Sequence, residues 1–328
     1  MFDLRQVGLG DNGGSATVVK SANVLVDLGH EVIIIGTGRN AHTWNKLKAK
    51  YLNPSTQRQI PSADAVISTG YKSVASTVKL PDRCGIKCHW IRAWETWQMD
   101  EKQIVNKVLK KPTIKLVNSI CMRDKLREYG VKSYIVRPGY DFEDLYPLSL
   151  RSEKKEVVLG GLYREGVHGR RKRTDWILDA SRTLKQDYDI KLWLFGSEKN
   201  PANKLIDMYV QKPDAKTKNN FYNGVSIWIA PTESEGLHMP PAEAMITECP
   251  VVGTNAKLSG MQDYLIHEKT GLVSDNNIND FISKIGELIE NKNKMIELGK
   301  NARRRILQIG NRQENMNKLV NLLEKLNV

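Results

Sequence analysis

Short runs of valine and isoleucine alternate with stretches whose apolar residues recur every three to four positions, almost from end to end of the chain. The short runs predict strands at Glu31–Ile35, Asp64–Ser68, Lys87–Ile91, Thr113–Asn118 and Tyr134–Arg137, with a weaker one at Arg5–Val7. Between the first two, Val18, Val19, Ala22, Leu25 and Val26 form one face of a helix over Ala16–Leu28, which Gly29 closes. The rhythm restarts with strands at Glu156–Gly160, Ile190–Phe195, Met208–Gln211, Ser226–Ala230, Pro250–Gly253 and Gly271–Val273. Helical patterns cover Thr174–Gln186, Pro240–Thr247, Ile278–Ile289, Lys292–Ile306 and Gln313–Leu326. Continuous apolar strands alternating with helices imply parallel sheets covered on both faces. The polar stretch Tyr146–Lys155 breaks the pattern. It divides the chain into residues 1–148 and 149–310, with a terminal helix at 311–328 that turns back toward the first domain. The expected fold is α/β, two doubly wound Rossmann-like domains facing across a cleft, with ligands beyond the carboxyl ends of the strands.

Composition narrows this only a little. At 328 residues the chain has room for two domains, and 40% hydrophobic with 27% charged residues excludes disorder, collagen and coiled coil. No apolar run approaches the length of a membrane span, and no signal segment opens the chain. Four cysteines are too few for a disulfide scaffold, so a cytoplasmic location is expected. Lys and Arg number 50 against 37 acidic residues, a net charge of +13. The first 148 residues hold 22 basic and 14 acidic side chains, with lysine clusters at 46, 48, 50 and at 107, 110, 111, 115. Such a field favours anionic partners: phosphorylated small molecules, nucleic acid or acidic lipid head groups.

Gly8-Leu9-Gly10-Asp11-Asn12-Gly13 spells the GxGxxG of a dinucleotide-binding turn. A nicotinamide-dependent dehydrogenase also needs an acidic residue closing the second strand, and that strand ends Ile35-Gly36-Thr37-Gly38-Arg39. The dehydrogenase reading therefore ranks low. A glycine-rich loop opening a helix still lets a phosphate or sugar approach backbone N–H groups.

The densest signal runs from Ile229 to Met245 (IAPTESEGLHMPPAEAM) and continues as Cys249-Pro-Val-Val-Gly-Thr-Asn255. A buried strand ends at Pro231, a polar loop carries Glu233 and Glu235, and Pro240-Pro241 open a helix bearing Glu243. Free amides at Leu237, His238 and Met239 favour an anion. Glu243 can accept two hydrogen bonds from a vicinal diol, and Glu235 can hold further hydroxyls. Donors for phosphate beside acceptors for sugar describe a nucleotide-sugar site.

At these residues the chain resembles the retaining glycosyltransferases of the GT-B fold, family 4, whose signature reads EGxxxxxxEAMxxxxPVV. Glu235-Gly236 through Glu243-Ala244-Met245 to Pro250-Val251-Val252 has that spacing. Gly13-Gly14-Ser15, Leu28 to Val32, Arg137 to Asp141 with Tyr146-Pro147, and Asp263-Tyr264 with Thr270-Gly271-Leu272 resemble further family segments. The resemblance implies that Glu243 binds the ribose and Glu235 the donor sugar, aided by the backbone of Gly236, Leu237 and His238. It implies that Gly13 and Gly14 approach the diphosphate. The family's GRL…K segment reads here Gly160-Gly161-Leu162-Tyr163-Arg164 and Gly169-Arg170-Arg171-Lys172-Arg173. Lys172 matches the family lysine; Gly161 stands where the arginine is expected, and Arg164 or Arg171 takes its place. The first strand departs from the family, since Met1–Val7 contains Asp3, Arg5 and Gln6.

The chemistry so implied is metal-independent transfer with retention of configuration and no cofactor, the nucleotide sugar being a substrate. Either Glu235 acts as a nucleophile, or the acceptor attacks on the face the phosphate leaves, the phosphate oxygen helping to deprotonate it. His89 or Arg92, at the end of a strand, is a candidate to sit over the donor sugar, and His89 is equally a structural histidine. Trp90, Trp94 and Trp97 suit a sugar ring, a lipid interface or a core stripe. Cys84-x3-Cys88-His89 is not a standard zinc spacing. A saccharide or lipid-linked acceptor in polysaccharide biosynthesis ranks first, with peripheral contact at the anionic inner membrane face. A glycosyltransferase acting on modified bases of DNA is the alternative. A glycoside hydrolase ranks below both, because Glu243 inside a helix suits binding better than proton transfer.

Overall fold

The computed structural model describes residues 1–55, 59–97, 99–148 and 156–326. It divides into two units: Met1–Gly139 with Asn311–Val328, and Tyr140–Gly310. The division falls at Gly139–Tyr140, ahead of the expected break at 148, and residues 149–155 of that break lie outside the described residues.

The first unit is built on β1 (Phe2–Leu4), β2 (Ile33–Gly36), β3 (Lys50–Leu52), β4 (Ala65–Ser68), β5 (Ile86–Ile91), β6 (Ile114–Val117) and β7 (Ser133–Ile135). They form a parallel sheet in the order β3-β2-β1-β4-β5-β6-β7. Its helices are α1 (Gly13–Asp27), α2 (Val74–Val78), α3 (Glu101–Ile104) and α4 (Ile120–Arg127). In the second unit the strands are β8 (Val157–Leu162), β9 (Ile190–Gly196), β10 (Met208–Gln211), β11 (Ile227–Ala230), β13 (Val251–Thr254) and β15 (Gly271–Ser274). Their order is β10-β9-β8-β11-β13-β15, and a two-residue pair, β12 (Ser234–Glu235) with β14 (Leu258–Ser259), lies outside the sheet. Its helices are α5 (Gly166–Lys172), α6 (Thr174–Asp187), α7 (Ala215–Gly224), α8 (Met239–Ile246), α9 (Ile278–Glu290) and α10 (Lys292–Ile309). The chain ends in α11 (Arg312–Leu326), which belongs to the first unit. Both sheets have the doubly wound 3-2-1-4-5-6 order, the first with a seventh strand added.

The unbroken apolar strands of the second unit are explained by where alternate residues go. Val158, Trp228 and Val251 pack with Tyr222, Met245 and Ala302, while Leu159, Ile227, Ile229 and Val252 pack with Ile177, Leu184 and Phe281. Side chains alternate across a strand, so a sheet covered on both faces requires apolar residues at every position. Each fully buried large side chain among these contributes roughly 1.5–3 kcal/mol.

In the first unit Phe2, Ile34, Trp90 and Leu116 pack with Val18 and Val19 of α1 and with Met316 and Leu319 of α11. The chain leaves this unit and re-enters it at one tight contact. A side chain at Gly139 (φ +72) would lie 2.3 Å from the Asn311 carbonyl oxygen, so only glycine fits.

The first strand corrects the expected Arg5–Val7. It lies at Phe2–Leu4 and carries Asp3, whose buried carboxylate accepts from Arg5 Nε (2.9 Å), Arg5 Nη2 (2.6 Å) and Thr77 Oγ1 (2.7 Å). A buried carboxylate is tolerated because it is fully paired, and Arg5, curling back to pair it, ends the strand.

Candidate functional site

In a sheet of this order the switch point lies between the first and fourth strands, here β8 and β11. The segments leaving their carboxyl ends carry most of the expected site residues. After β8 the chain forms α5, a short helix absent from the sequence expectation, whose end presents Arg171 and Lys172. After β11 it runs through β12 to α8. Glu233 N donates to the Arg171 carbonyl at 3.0 Å, joining the two segments.

Glu235 is fixed by backbone and by charge. Its strand pairs with β14, Glu235 opposite Ser259, and a Cβ on Gly260 would lie 1.8 Å from the Gly236 carbonyl oxygen. Glycine at 260 is what lets these loops meet. The Glu235 Oε1 atom lies 2.7 Å from Lys172 Nζ and 3.2 Å from Arg171 Nη2. Burial works against its charge, yet Lys172 and Arg171 outweigh it and hold the carboxyl down to about 2. Burial also pulls the Lys172 ammonium down, with Glu235 opposing.

Glu243 lies in α8, one turn in, behind Pro240 and Pro241, which supply no N–H. Its Oε2 accepts from Tyr222 Oη at 2.8 Å and lies 3.4 Å from Lys218 Nζ, both from α7. Sequence reasoning missed both partners, because nothing marks a tyrosine 21 residues upstream of a carboxylate as its neighbour. His238 precedes α8 in the left-handed region (φ 58, ψ 73), and its carbonyl accepts from Tyr264 Oη at 2.6 Å. Leu237 is buried in the core around Met245 and Trp228.

The structure separates the two candidate arginines. Arg171 joins Glu235, whereas Arg164 Nε lies 3.2 Å from Glu198 Oε1 and Nη1 donates to Ser197 Oγ.

The first unit's candidates sit on its own sheet and helices. Gly13 and Gly14 open α1, capped by Asn12 Oδ1 accepting from Ser15 N at 2.9 Å, and the Gly14 carbonyl accepts from Arg92 Nη1 at 2.6 Å. His89 requires a correction. It sits within β5 rather than at its end, with no exposed surface, and neither ring nitrogen has a hydrogen-bond partner among the described residues. Burial, with Lys115 and Arg92 nearby, pushes its pKa down to about 3, so it is a neutral core residue. Neither does the tryptophan spacing form one face. Trp90 is buried in β5 and donates to the Val136 carbonyl at 2.9 Å, Trp94 stacks on Tyr129 at 5.8 Å, and Trp97 is exposed. Cys84 and Cys88 are free and buried, and among the described residues no group of three or more metal-ligating side chains could hold a metal ion. No helix among them is long and apolar enough to cross a membrane.

Two doubly wound units, one carrying an acid pair set against cations at its switch point, give the chain a fold of the GT-B type. Residues 156–291 match the family model described as Glycosyl transferases group 1. The chain is similar to the poly(ribitol-phosphate) alpha-N-acetylglucosaminyltransferase of Staphylococcus aureus, 28% identical over 161 residues, 46% of this chain and 32% of that protein. It is similar also to the trehalose synthase of Thermococcus litoralis, 30% identical over 170 residues, 51% of this chain and 36% of that protein. The chain thus spans about a third of the length of these curated relatives. Over nearly its whole length it shares the fold of Anabaena HepE, solved in complex with UDP and glucose. The TM-score is 0.78 at 12% identity, covering 99% of this chain and 100% of that one.

Proposed function

We propose that this protein is a retaining, metal-independent glycosyltransferase that takes a nucleotide sugar as donor and a hydroxyl of a saccharide or lipid-linked acceptor. The observation that carries the reading is the joint placement of Glu235 and Glu243 on either side of the α8 start, with Lys172 and Arg171 on Glu235. The family match over residues 156–291 supports the activity. The UDP and glucose held by the Anabaena protein support a nucleotide sugar as donor, and the polymer named for the Staphylococcus relative supports a saccharide-type acceptor.

The residues divide the work by charge. The donor's diphosphate competes with Glu235 for Lys172 and Arg171, which are acceptors' partners only and gain a second anion at little rearrangement. Glu235, released, accepts hydrogen bonds from hydroxyls of the sugar. Glu243, steadied by Tyr222 on Oε2, offers its remaining capacity to the ribose diol. In the transfer the bond between the anomeric carbon and the phosphate oxygen breaks, and its electron pair stays on the diphosphate. Lys172 and Arg171 stabilise that charge. The acceptor oxygen bonds to the anomeric carbon on the same face, and its proton passes to the departing phosphate oxygen.

A thermal-shift screen against UDP-, GDP-, ADP- and dTDP-sugars tests this, with Glu243→Ala as control. Stabilisation of several degrees by one base class, lost in the variant, is the expected result. No response to any donor would overturn the reading.

A further inference from the structure

His238 carries two costs that a glycine at the same position would not. Its backbone lies in the left-handed region, at φ 58 and ψ 73, where a side chain is strained. The residue is 4% exposed, and Nδ1 has no hydrogen-bond partner among the described residues. The conformation is held in place: Tyr264 Oη donates to the His238 carbonyl at 2.6 Å, and the close approach of Gly260 to Gly236 wedges the preceding turn. Strain of this kind at a buried polar residue points toward function.

The surroundings say what the ring can bind. Burial first, then Lys172, drive the proton off; Glu235 opposes them and Arg171 adds a smaller push, so the imidazole is neutral. Nε2 lies 3.4 Å from Thr232 Oγ1, and a hydroxyl can either donate to or accept from that nitrogen. Nδ1 is accordingly free to be acceptor or donor, as its partner demands. A phosphate oxygen only accepts, and Lys172 and Arg171 already answer it. A sugar hydroxyl matches either state.

We propose that the His238 imidazole is a specificity-determining group for the transferred sugar, its Nδ1 pairing with a ring hydroxyl of the sugar that Glu235 holds. This rests on the donor reading above. Donor binding, by drawing Lys172 and Arg171 onto the diphosphate, loosens the ion cluster beside the ring and admits the hydroxyl.

Calorimetric titration of wild type, His238→Gly and His238→Asn tests it, using UDP, GDP, ADP and dTDP alongside their glucose or mannose derivatives. In His238→Gly the expected result is an unchanged or higher melting temperature without ligand. The nucleoside diphosphate should bind within threefold of wild type, and the nucleotide sugar at least tenfold more weakly. Asparagine tolerates the left-handed region and offers an amide in place of Nδ1, so His238→Asn should recover most of the loss. A deoxy sugar lacking the paired hydroxyl should lose affinity in wild type and lose little more in His238→Gly. Equal weakening of diphosphate and nucleotide sugar, or no weakening of either, overturns the proposal and leaves the donor reading standing. Wild type that binds none of these compounds overturns the donor reading itself.

Discussion

The two sheets share one strand order, and the carboxyl ends at their switch points differ in how their charges are satisfied. In the second unit, Lys172 and Arg171 rest on the side chain of Glu235, one charged group against another. In the first, Arg92 rests on backbone carbonyls, those of Gly14 and Thr69, and the nearby histidine of β5 is sealed in the core. A side-chain ion pair exchanges partners when an anionic ligand arrives, whereas an arginine spent on backbone oxygens positions a loop. The same topology thus yields cations paired with a side chain in one unit, which the proposed function has exchanging onto the donor, and a braced glycine loop in the other.

Four measurements sharpen or break this contrast. The largest effect is expected for Lys172→Met, which removes the proposed diphosphate partner and leaves buried Glu235 to Arg171 alone. It should lower kcat/KM at least a thousandfold and cost about 2 kcal/mol in denaturant unfolding, since Arg171 still partners the buried carboxylate. A variant of wild-type stability and activity would break the exchange argument.

Next comes acid sensitivity. The Glu235 carboxyl is held down to about 2 from an ordinary 4.5, against its burial, by Lys172 and Arg171. Its folded value is depressed, so its stabilisation is present above pH 4.5 and lost as pH falls toward 2. Unfolding followed across that window should fall less steeply for Glu235→Gln than for wild type, and parallel slopes would contradict the pairing.

Tyr222→Phe removes the hydroxyl that steadies Glu243. It should weaken donor binding about tenfold and cost about 1 kcal/mol, read by titration and by thermal melts. The smallest change is expected in the first unit. His89→Leu replaces a buried ring without hydrogen-bond partners among the described residues by an apolar side chain, so kcat/KM should stay within twofold and the melting temperature should rise by a degree or two. A large loss of activity would return His89 to the site.

How much was legible beforehand differs between backbone and site. The strands of the second unit were placed to within a residue or two, because an apolar run bounded by polar turns has one way to bury both faces. Arg5–Val7 was misplaced, since Asp3 reads as polar until Arg5 and Thr77 are seen to neutralise it. β3, with only Leu52 buried, and α5, a short polar helix, left no periodic signal. Among site residues, Glu235 and Glu243 stood out by spacing, and Lys172 through the family segment it resembles.

What the chain by itself determined is the rhythm of strands and helices, the break into two doubly wound halves, and an acid motif at a helix start. These follow from local periodicity and from residues close in sequence, whose relations survive without knowledge of the fold. Only the tertiary structure decided which arginine meets Glu235, that Tyr222 holds Glu243, that His89 is core, and that His238 is buried and strained with no partner for Nδ1 among the described residues. Each is a contact or a burial between distant segments, set by how helices and loops pack on the sheets, and no spacing along the chain encodes it.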